Sequence, residues 1–141
     1  MILGIGSDLI NIDRIVETYN QHGDRFAKRI LTPNEFDTAK KRQEKQADEG
    51  FVLYLAKRWA AKEACAKALG TGLVTDGISF QDFETKHTSA GKPYMLLSGG
   101  AAKRLETLLP DGAKPVIDLS LSDEPPMALA FVIISSLPEE G

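Results

Sequence analysis

The sequence predicts an α+β fold, in which a small antiparallel sheet packs against a long central helix and shorter helices. Helix signals dominate the first half of the chain, where a capping sequence at residues 32–35 opens a long helical region. Strand signals dominate the second half, where apolar and polar residues alternate and two apolar runs flank Asp123-Glu-Pro-Pro126. Helices that mostly precede strands, instead of alternating with them, are typical of an α+β protein.

The composition indicates one globular domain over residues 1–141, and the net charge of -3 does not suggest nucleic-acid binding. The one cysteine, Cys65, cannot form an internal disulfide, which is typical of a reducing compartment. The apolar N-terminal run is too short for a secretion signal, and no segment approaches the roughly 20 apolar residues of a membrane helix. We therefore expect a cytoplasmic protein that neither spans a membrane nor binds nucleic acid.

The first elements are a short strand and two short helices. Residues 2–5 form an apolar run with a glycine inside it, which predicts a buried strand. Asn11 or Asp13 caps the first helix, and Gly23 interrupts it. Residues 25–31 form the second helix.

The central helical region has clear start and stop signals. Thr32 is predicted to cap it, a proline follows in the first turn, and Glu35 completes a capping box. Residues 46–50 form a break, after which a second helix spans residues 51–69. Gly70 ends this helix as a residue of left-handed conformation.

The second half of the chain is predicted to hold four strands and one helix. In chain order they are a strand at 78–84, a turn at 90–93, a strand at 94–97, a helix at 101–109, and a hairpin of strands 116–122 and 127–135.

The helical stretch Trp59–Lys67 holds the most informative side chain, Glu63. This glutamate lies at the edge of an apolar helical face, where an unpaired carboxylate is costly. A structural interpretation is an i,i+4 ion pair with Lys67, worth about 0.2–0.5 kcal/mol. The alternative is that the helix forms one wall of an anionic, metal-dependent site.

Asp8 is the second candidate, because it follows Gly6-Ser7 at the end of the first predicted strand. Such a position is common for a metal ligand and equally common for a turn or cap residue. Gly4-Ile-Gly6 does not predict a dinucleotide site, since the third glycine is missing. Neither histidine has the spacing of a metal ligand or a catalytic triad.

Two further groups carry cations. The turn at residues 90–93 contains Lys92, and it is either an ordinary hairpin turn or part of a binding site. Arg25, Lys28 and Arg29 cluster in an otherwise acidic chain, and they form either a solvated face or a dock for an acidic partner.

Together these segments resemble the bacterial holo-[acyl-carrier-protein] synthase family, the single-domain phosphopantetheinyl transferases. The matching segments are Gly4-Ile-Gly-Ser-Asp8 with Arg14-Ile15, the helical run Arg58-Trp-Ala-Ala-Lys-Glu-Ala-Cys-Ala-Lys67, Gly70-Thr-Gly72 and Gly91-Lys-Pro93. The likeness runs from residue 1 to about residue 134. The combination of the Trp-x-x-Lys-Glu-x-x-x-Lys pattern with an N-terminal Gly-x-Asp is specific, whereas either half alone is weak.

The resemblance implies the 4'-phosphopantetheinyl transferase fold and transfer of phosphopantetheine from coenzyme A to a serine of apo acyl carrier protein. The second product is adenosine 3',5'-bisphosphate, and the reaction supports fatty acid biosynthesis. It also implies Mg²⁺, or Mn²⁺ in its place, and a homotrimer with active sites between subunits.

The resemblance further implies roles for individual residues. The catalytic set is Asp8, Glu63 and Lys67, of which Asp8 and Glu63 hold the metal. The coenzyme A contacts are Arg58, Lys62, Gly70, Gly91, Lys92 and Pro93. The contacts to the carrier protein are Arg14, Arg25, Lys28 and Arg29. Many relatives carry a histidine after the Ser-x-Ser of the penultimate strand, where this chain has Asp123.

Two other functions fit parts of the sequence. A non-catalytic module that binds coenzyme A or a carrier protein would need the basic residues but not both carboxylates. A structural oligomer would use Glu63 and Lys67 only to support their helix.

Overall fold

A computed structural model of the chain describes residues 1–73 and 77–139. The helices are α1 and α2 followed by the long α3 and the short α4, at Ile12–His22, Asp24–Ile30, Pro33–Ala68 and Gly99–Leu108. The strands are β1 to β5 in chain order, at Ile2–Asn11, Phe83–His87, Pro93–Leu97, Ala113–Glu124 and Met127–Pro138. The predicted α+β fold is confirmed.

Three of the strands form one antiparallel sheet with the order β1–β5–β4, while β2 and β3 form a separate hairpin. The predicted hairpin near the C-terminus is β4 and β5, whose pairing extends to Glu124 opposite Met127. Strand β1 is longer than predicted, because it pairs with β5 as far as Asn11 opposite Met127. Asp8 therefore lies inside a strand and not at its exit.

The sheet is positioned by direct backbone contact between β1 and α3. A methyl group at Gly4 would overlap the carbonyl oxygen of Ala68, and one at Gly6 would overlap that of Ala64. Two strand residues advance about 6.7 Å and four helix residues about 6 Å, so the two periods stay matched along the contact. The small residues thus fix both the distance and the register between the strand and the helix.

The predicted interruption of the central helix is confirmed. Ala47 has φ 56° and ψ -155°, outside the helical region, although the helical span continues on both sides. In a straight helix, Glu35 and Lys62 would lie about 40 Å apart, yet their charged atoms are separated by 2.6 Å. The two segments of α3 therefore fold back onto each other.

The strand predicted at residues 78–84 is wrong in its first part. Residues Phe80–Asp82 form a short 3-10 helix, and β2 begins only at Phe83. The Asp82 carboxylate accepts hydrogen bonds from the backbone N–H groups of Ser79 and Ala101. These local bonds compete with the sheet, a common effect of short polar side chains.

One face of the three-stranded sheet is apolar and exposed. Ile5 is 55% exposed, Leu9 64% and Phe131 40%. Leu9 lies opposite Leu129 in the pairing of β1 with β5, and Ser7 lies opposite Phe131. Contiguous exposed apolar faces are common at protein interfaces.

We expect Gly6→Ala to destabilise the protein by about 3 kcal/mol or more, because the added methyl group must separate β1 from α3. Urea unfolding measures the change. Ser7→Ala is the matched control, since Ser7 is exposed on the opposite face of the strand. Equal unfolding midpoints for the two variants would show that the strand has room to move.

Candidate active site

The contact between β1 and α3 places two carboxylates near one another. Asp8 follows Gly4 and Gly6 on the same face of β1, because alternate strand residues share a face. It therefore points towards the helix that carries Glu63. The negative charge of Asp8 acts on Glu63, although the two residues are 55 positions apart in the sequence.

The surroundings of Glu63 disfavour the ionised form of its carboxyl group. Burial raises the pKa of Glu63 most, the charge of Asp8 raises it further, and Lys67 lowers it. Two carboxylates that share a partly buried site favour a bound cation. In the described residues, no group of three or more His, Cys, Asp or Glu could hold a metal ion. A cation here would take two carboxylates from the protein and further ligands from water or a substrate phosphate, which fits the ligand preferences of Mg²⁺.

Lys67 reaches from α3 to β1. Its ammonium donates to the backbone oxygen of Ser7 at 2.9 Å and to Oδ1 of Asp8 at 3.3 Å. The ion pair of Lys67 is thus made to Asp8 on another element, which argues against a role confined to its own helix. The side chain of Lys67 is 53% exposed, so its third N–H remains open to a ligand.

A cleft of about 930 Å³ opens beside Glu63. Its cations are Arg25, Lys28 and Arg29 on α2, and all three are exposed. Its aromatic lining is Phe26, Trp59 and Phe80. We call this the large cleft. Arg14, the other predicted docking residue, is exposed on the neighbouring helix α1.

Arg58 lines a second, smaller pocket of about 240 Å³ together with Arg42, Lys57, His87 and Pro93. We call this the basic pocket. Arg58 is buried, donates from Nε to Oγ1 of Thr85 at 3.0 Å and lies 4.1 Å from the centre of the Tyr54 ring. Burial, and then the charges of Arg58, Arg42 and Lys57, lower the pKa of His87. Such a concentration of cations favours an anionic ligand.

Sequence reasoning missed Arg42, Lys57 and His87. Arg42 comes from the first segment of α3, Lys57 from the second and His87 from the end of β2. The fold-back at Ala47 and the docking of β2 bring them together. The sequence predicts a break at residues 46–50, but no local pattern shows that the two segments of α3 fold back onto each other or that β2 docks there.

The expected contact of Lys62 with coenzyme A is wrong for this structure. Lys62 is completely buried, and its ammonium donates to Glu35 at 2.6 Å, to the Ile30 carbonyl at 2.6 Å and to the Phe80 carbonyl at 3.2 Å. These acceptors use all three of its N–H groups. A sequence signal was present, since Lys62 follows the buried Leu55 by seven residues and shares its helical face.

The predicted glycine and turn residues are dispersed. Gly70 ends the helix with φ 77°, as expected, and lies beside Arg104. Gly91 and Lys92 form the β2–β3 turn, where Lys92 lies 3.6 Å from Asp118. Pro93 lines the basic pocket together with Arg58. A single copy of the chain does not gather all the predicted coenzyme A contacts in one place.

Asp123 is neutralised by a neighbour. Its Oδ1 lies 2.9 Å from Nζ of Lys57, and both side chains are about one-quarter exposed. The ion pair reduces the repulsion that Asp123 would exert on an anion in the adjacent basic pocket.

Cys65 is a free, buried cysteine. Burial raises the pKa of the Cys65 thiol to about 12, so this group is not a nucleophile at neutral pH.

Within the described part of the chain, no helix has the length and apolarity required to cross a membrane.

Comparison with known proteins identifies the family. The family model of the 4'-phosphopantetheinyl transferase superfamily matches residues 4–126. A holo-[acyl-carrier-protein] synthase of Afipia carboxidovorans is 51% identical over 138 residues, which cover 98% of each chain.

Solved structures agree in both fold and sequence. The holo-[acyl-carrier-protein] synthase of Neisseria meningitidis has a TM-score of 0.79 and 40% identity, covering 96% of this chain and 99% of that one. The Bacillus anthracis synthase, in complex with CoA (3',5'-ADP), has a TM-score of 0.73 and 34% identity, covering 95% and 96%. The chain therefore belongs to the 4'-phosphopantetheinyl transferase superfamily and, within it, to the family of holo-[acyl-carrier-protein] synthases.

Proposed function

We propose that the protein transfers 4'-phosphopantetheine from coenzyme A to a serine of apo acyl carrier protein, in support of fatty acid biosynthesis. The observation that carries this proposal is the approach of Asp8 to Glu63 beside a cleft rimmed by cations. The names of the relatives and the CoA (3',5'-ADP) complex of the Bacillus anthracis synthase support the choice of substrates.

Asp8 and Glu63 would hold Mg²⁺, or Mn²⁺ in its place. When bound, the ion supplies polarisation of the diphosphate and neutralises charge as the P–O bond breaks. The repulsion between the two carboxylates supports this assignment, because a cation between them relieves it.

The residues of the chain would perform the proton transfers. Glu63, or a water molecule that it orients, takes the proton of the serine hydroxyl as the serine oxygen attacks the phosphorus that carries the pantetheine arm. In the metal-free protein, burial and then the charge of Asp8 raise the pKa of Glu63. The bond from that phosphorus to the bridging oxygen breaks, and adenosine 3',5'-bisphosphate leaves. Lys67 stabilises the departing phosphate and can protonate it.

Arg58 and Pro93 would contact coenzyme A through the basic pocket, with Gly91 and Lys92 on the adjoining turn. Phosphate groups are complementary in charge to this pocket. An arginine whose guanidinium group is held in place by a hydrogen bond to Thr85 is suited to bind them. A contact at Gly70 stays a prediction, since this glycine lies at the far end of α3.

The carrier protein would dock on Arg14, Arg25, Lys28 and Arg29. All four side chains are exposed, and the three on α2 line the large cleft that leads to Glu63. An acidic surface of the carrier would be attracted there and would bring its serine to the carboxylates.

We further propose a homotrimer with its active sites between subunits, located in the cytoplasm. The exposed apolar face of β1 and β5 supports a subunit interface. The dispersal of the predicted coenzyme A contacts also fits a site completed by a second copy. The free, buried thiol of Cys65 agrees with a reducing compartment.

The proposed reaction is tested by incubating the protein with apo carrier, coenzyme A and Mg²⁺. We expect the carrier to gain the mass of one phosphopantetheine, and a chelator to prevent the gain. A carrier whose acceptor serine is replaced by alanine is the control. Tight binding of both substrates without a mass gain would instead support a non-catalytic binding module.

We expect Glu63→Gln to lower kcat by about a thousandfold, since both a metal ligand and the base are lost. The folded-state pKa of Glu63 is raised, so ionisation of this group costs stability as pH rises above its ordinary 4.5. In chelator at pH 7, the glutamine variant should therefore have a higher melting temperature than the unmodified protein. The difference should vanish below pH 4.5.

Added Mg²⁺ gives the complementary measurement. It should raise the melting temperature of the unmodified protein but not that of Glu63→Gln. Normal turnover in the variant, or an equal Mg²⁺ response in both proteins, would contradict the role of Glu63.

We expect Arg25→Glu to raise the KM for the carrier protein by about tenfold while the KM for coenzyme A stays constant, because one attractive charge at the dock becomes repulsive. The KM of the unmodified protein should rise with salt, and that of the variant should respond less. Lys103→Glu, an equal charge change on the exposed face of α4, is the control. Identical carrier kinetics in the two variants would show that the dock lies elsewhere.

A further inference from the structure

A buried ion pair that the proposed reaction does not use lies beneath both binding sites. The ammonium of Lys62 is completely enclosed and lies 2.6 Å from Oε1 of Glu35. Among the residues that the structure describes, each buried side-chain nitrogen or oxygen has a hydrogen-bond partner. This pair is therefore part of a fully satisfied network.

Lys62 connects the central helix to two walls of the large cleft. Its ammonium donates to the carbonyl of Ile30, the last residue of α2, and to the carbonyl of Phe80 in the 3-10 helix. Ile30 and Phe80 both line the large cleft, as does Glu63, the next residue after Lys62. One ammonium thus fixes the helix that carries a proposed catalytic group relative to the walls that face the carrier protein.

Glu35 extends the network to the basic pocket. Its second oxygen accepts from the backbone N–H and from the hydroxyl of Thr85, each at 2.8 Å. A hydroxyl has only one hydrogen to donate, so the oxygen of Thr85 serves as acceptor for Nε of Arg58 at 3.0 Å. Glu35 sets the direction of the Thr85 hydroxyl, and the Thr85 oxygen in turn orients the Arg58 guanidinium.

Stability alone is a weak reason for such a pair. Removing two charges from water is costly, and apolar replacements of a buried pair are often neutral or stabilising. Burial also lowers the pKa of Lys62, against the attraction of Glu35. What an apolar pair could not do is hold two backbone carbonyls, a threonine and an arginine in fixed directions.

We infer that Lys62 and Glu35 are positioning residues, with Lys62 setting the walls of the large cleft and Glu35, through Thr85, aiming Arg58 into the basic pocket. The inference rests on the proposed transferase function. It assigns Lys62 a buried role that differs from direct contact with coenzyme A.

Two variants separate the contacts of Lys62 with the walls of the large cleft from the contact of Thr85 with Arg58. The double variant Lys62→Met with Glu35→Gln removes both charges and keeps an acceptor for Thr85. Thr85→Val removes only the hydroxyl that orients Arg58 and keeps the side-chain volume. Lys40→Met is the control, because it breaks the exposed ion pair between Lys40 and Asp24.

We expect different kinetic signatures for the two variants. The double variant should raise the KM for the carrier by about tenfold or more and leave the KM for coenzyme A nearly unchanged. Thr85→Val should do the reverse, with a rise of about tenfold in the KM for coenzyme A. Lys40→Met should leave both constants unchanged.

Hydrogen–deuterium exchange gives a readout that does not depend on turnover. Residues 24–30 and 80–82 should exchange faster in the double variant than in the unmodified protein. Folded variants that lose only thermal stability, with both KM values and the exchange unchanged, would overturn the inference. If the double variant does not fold, a normal KM for coenzyme A in Thr85→Val overturns it. If the unmodified protein transfers no phosphopantetheine, the proposed function is wrong. In that case, unchanged hydrogen–deuterium exchange in the double variant would still contradict the inference about Lys62 and Glu35.

Discussion

Strand β1 lies against the backbone of α3 because Gly4 and Gly6 have no side chains to hold the two elements apart. The proposed chemistry depends on this contact. It carries Asp8 to Glu63 and lets Lys67 reach β1, at 2.9 Å from the Ser7 carbonyl. Two carboxylates and one ammonium are thereby concentrated where strand and helix meet, and the raised pKa of Glu63 records the electrostatic cost. Lys67 offsets part of this repulsion, and a cation bound between the carboxylates would relieve more of it.

The charges of the protein are divided between two surfaces that share one scaffold. The large cleft has exposed cations that suit an acidic protein. The basic pocket combines the buried Arg58 with the partly exposed Lys57 and the exposed Arg42, which suits phosphate groups. Lys62 and Glu35 lie between them and carry no ligand contact of their own. A single fold-back of α3 at Ala47 creates this arrangement, since it brings Glu35 to Lys62 and Arg42 to the pocket of Arg58.

Much of the fold could be predicted from local signals. Thr32 and Glu35 form the expected capping box, Asn11 caps α1, and Gly70 ends the helix in the left-handed region. The carboxylates and Lys67 were recognised by family resemblance, and the structure brings them together. Lys62 was misassigned because a lysine beside a catalytic glutamate suggests phosphate binding, although its helical position indicates burial. The basic pocket joins segments far apart in the chain, so periodicity could not reveal it.

The glycine contact between β1 and α3 holds Asp8 and Glu63 close enough to repel one another. A double-mutant cycle of Asp8→Asn and Glu63→Gln measures this directly by urea unfolding of the metal-free protein at pH 7. We expect either neutral substitution to remove the repulsion felt by the remaining carboxylate, so that the two effects on the free energy of unfolding are not additive. The coupling free energy should be repulsive and about 0.5–3 kcal/mol, and it should disappear at a pH where both carboxyls are protonated. Additive effects, with no coupling at pH 7, would contradict the claim that the two carboxylates form one site.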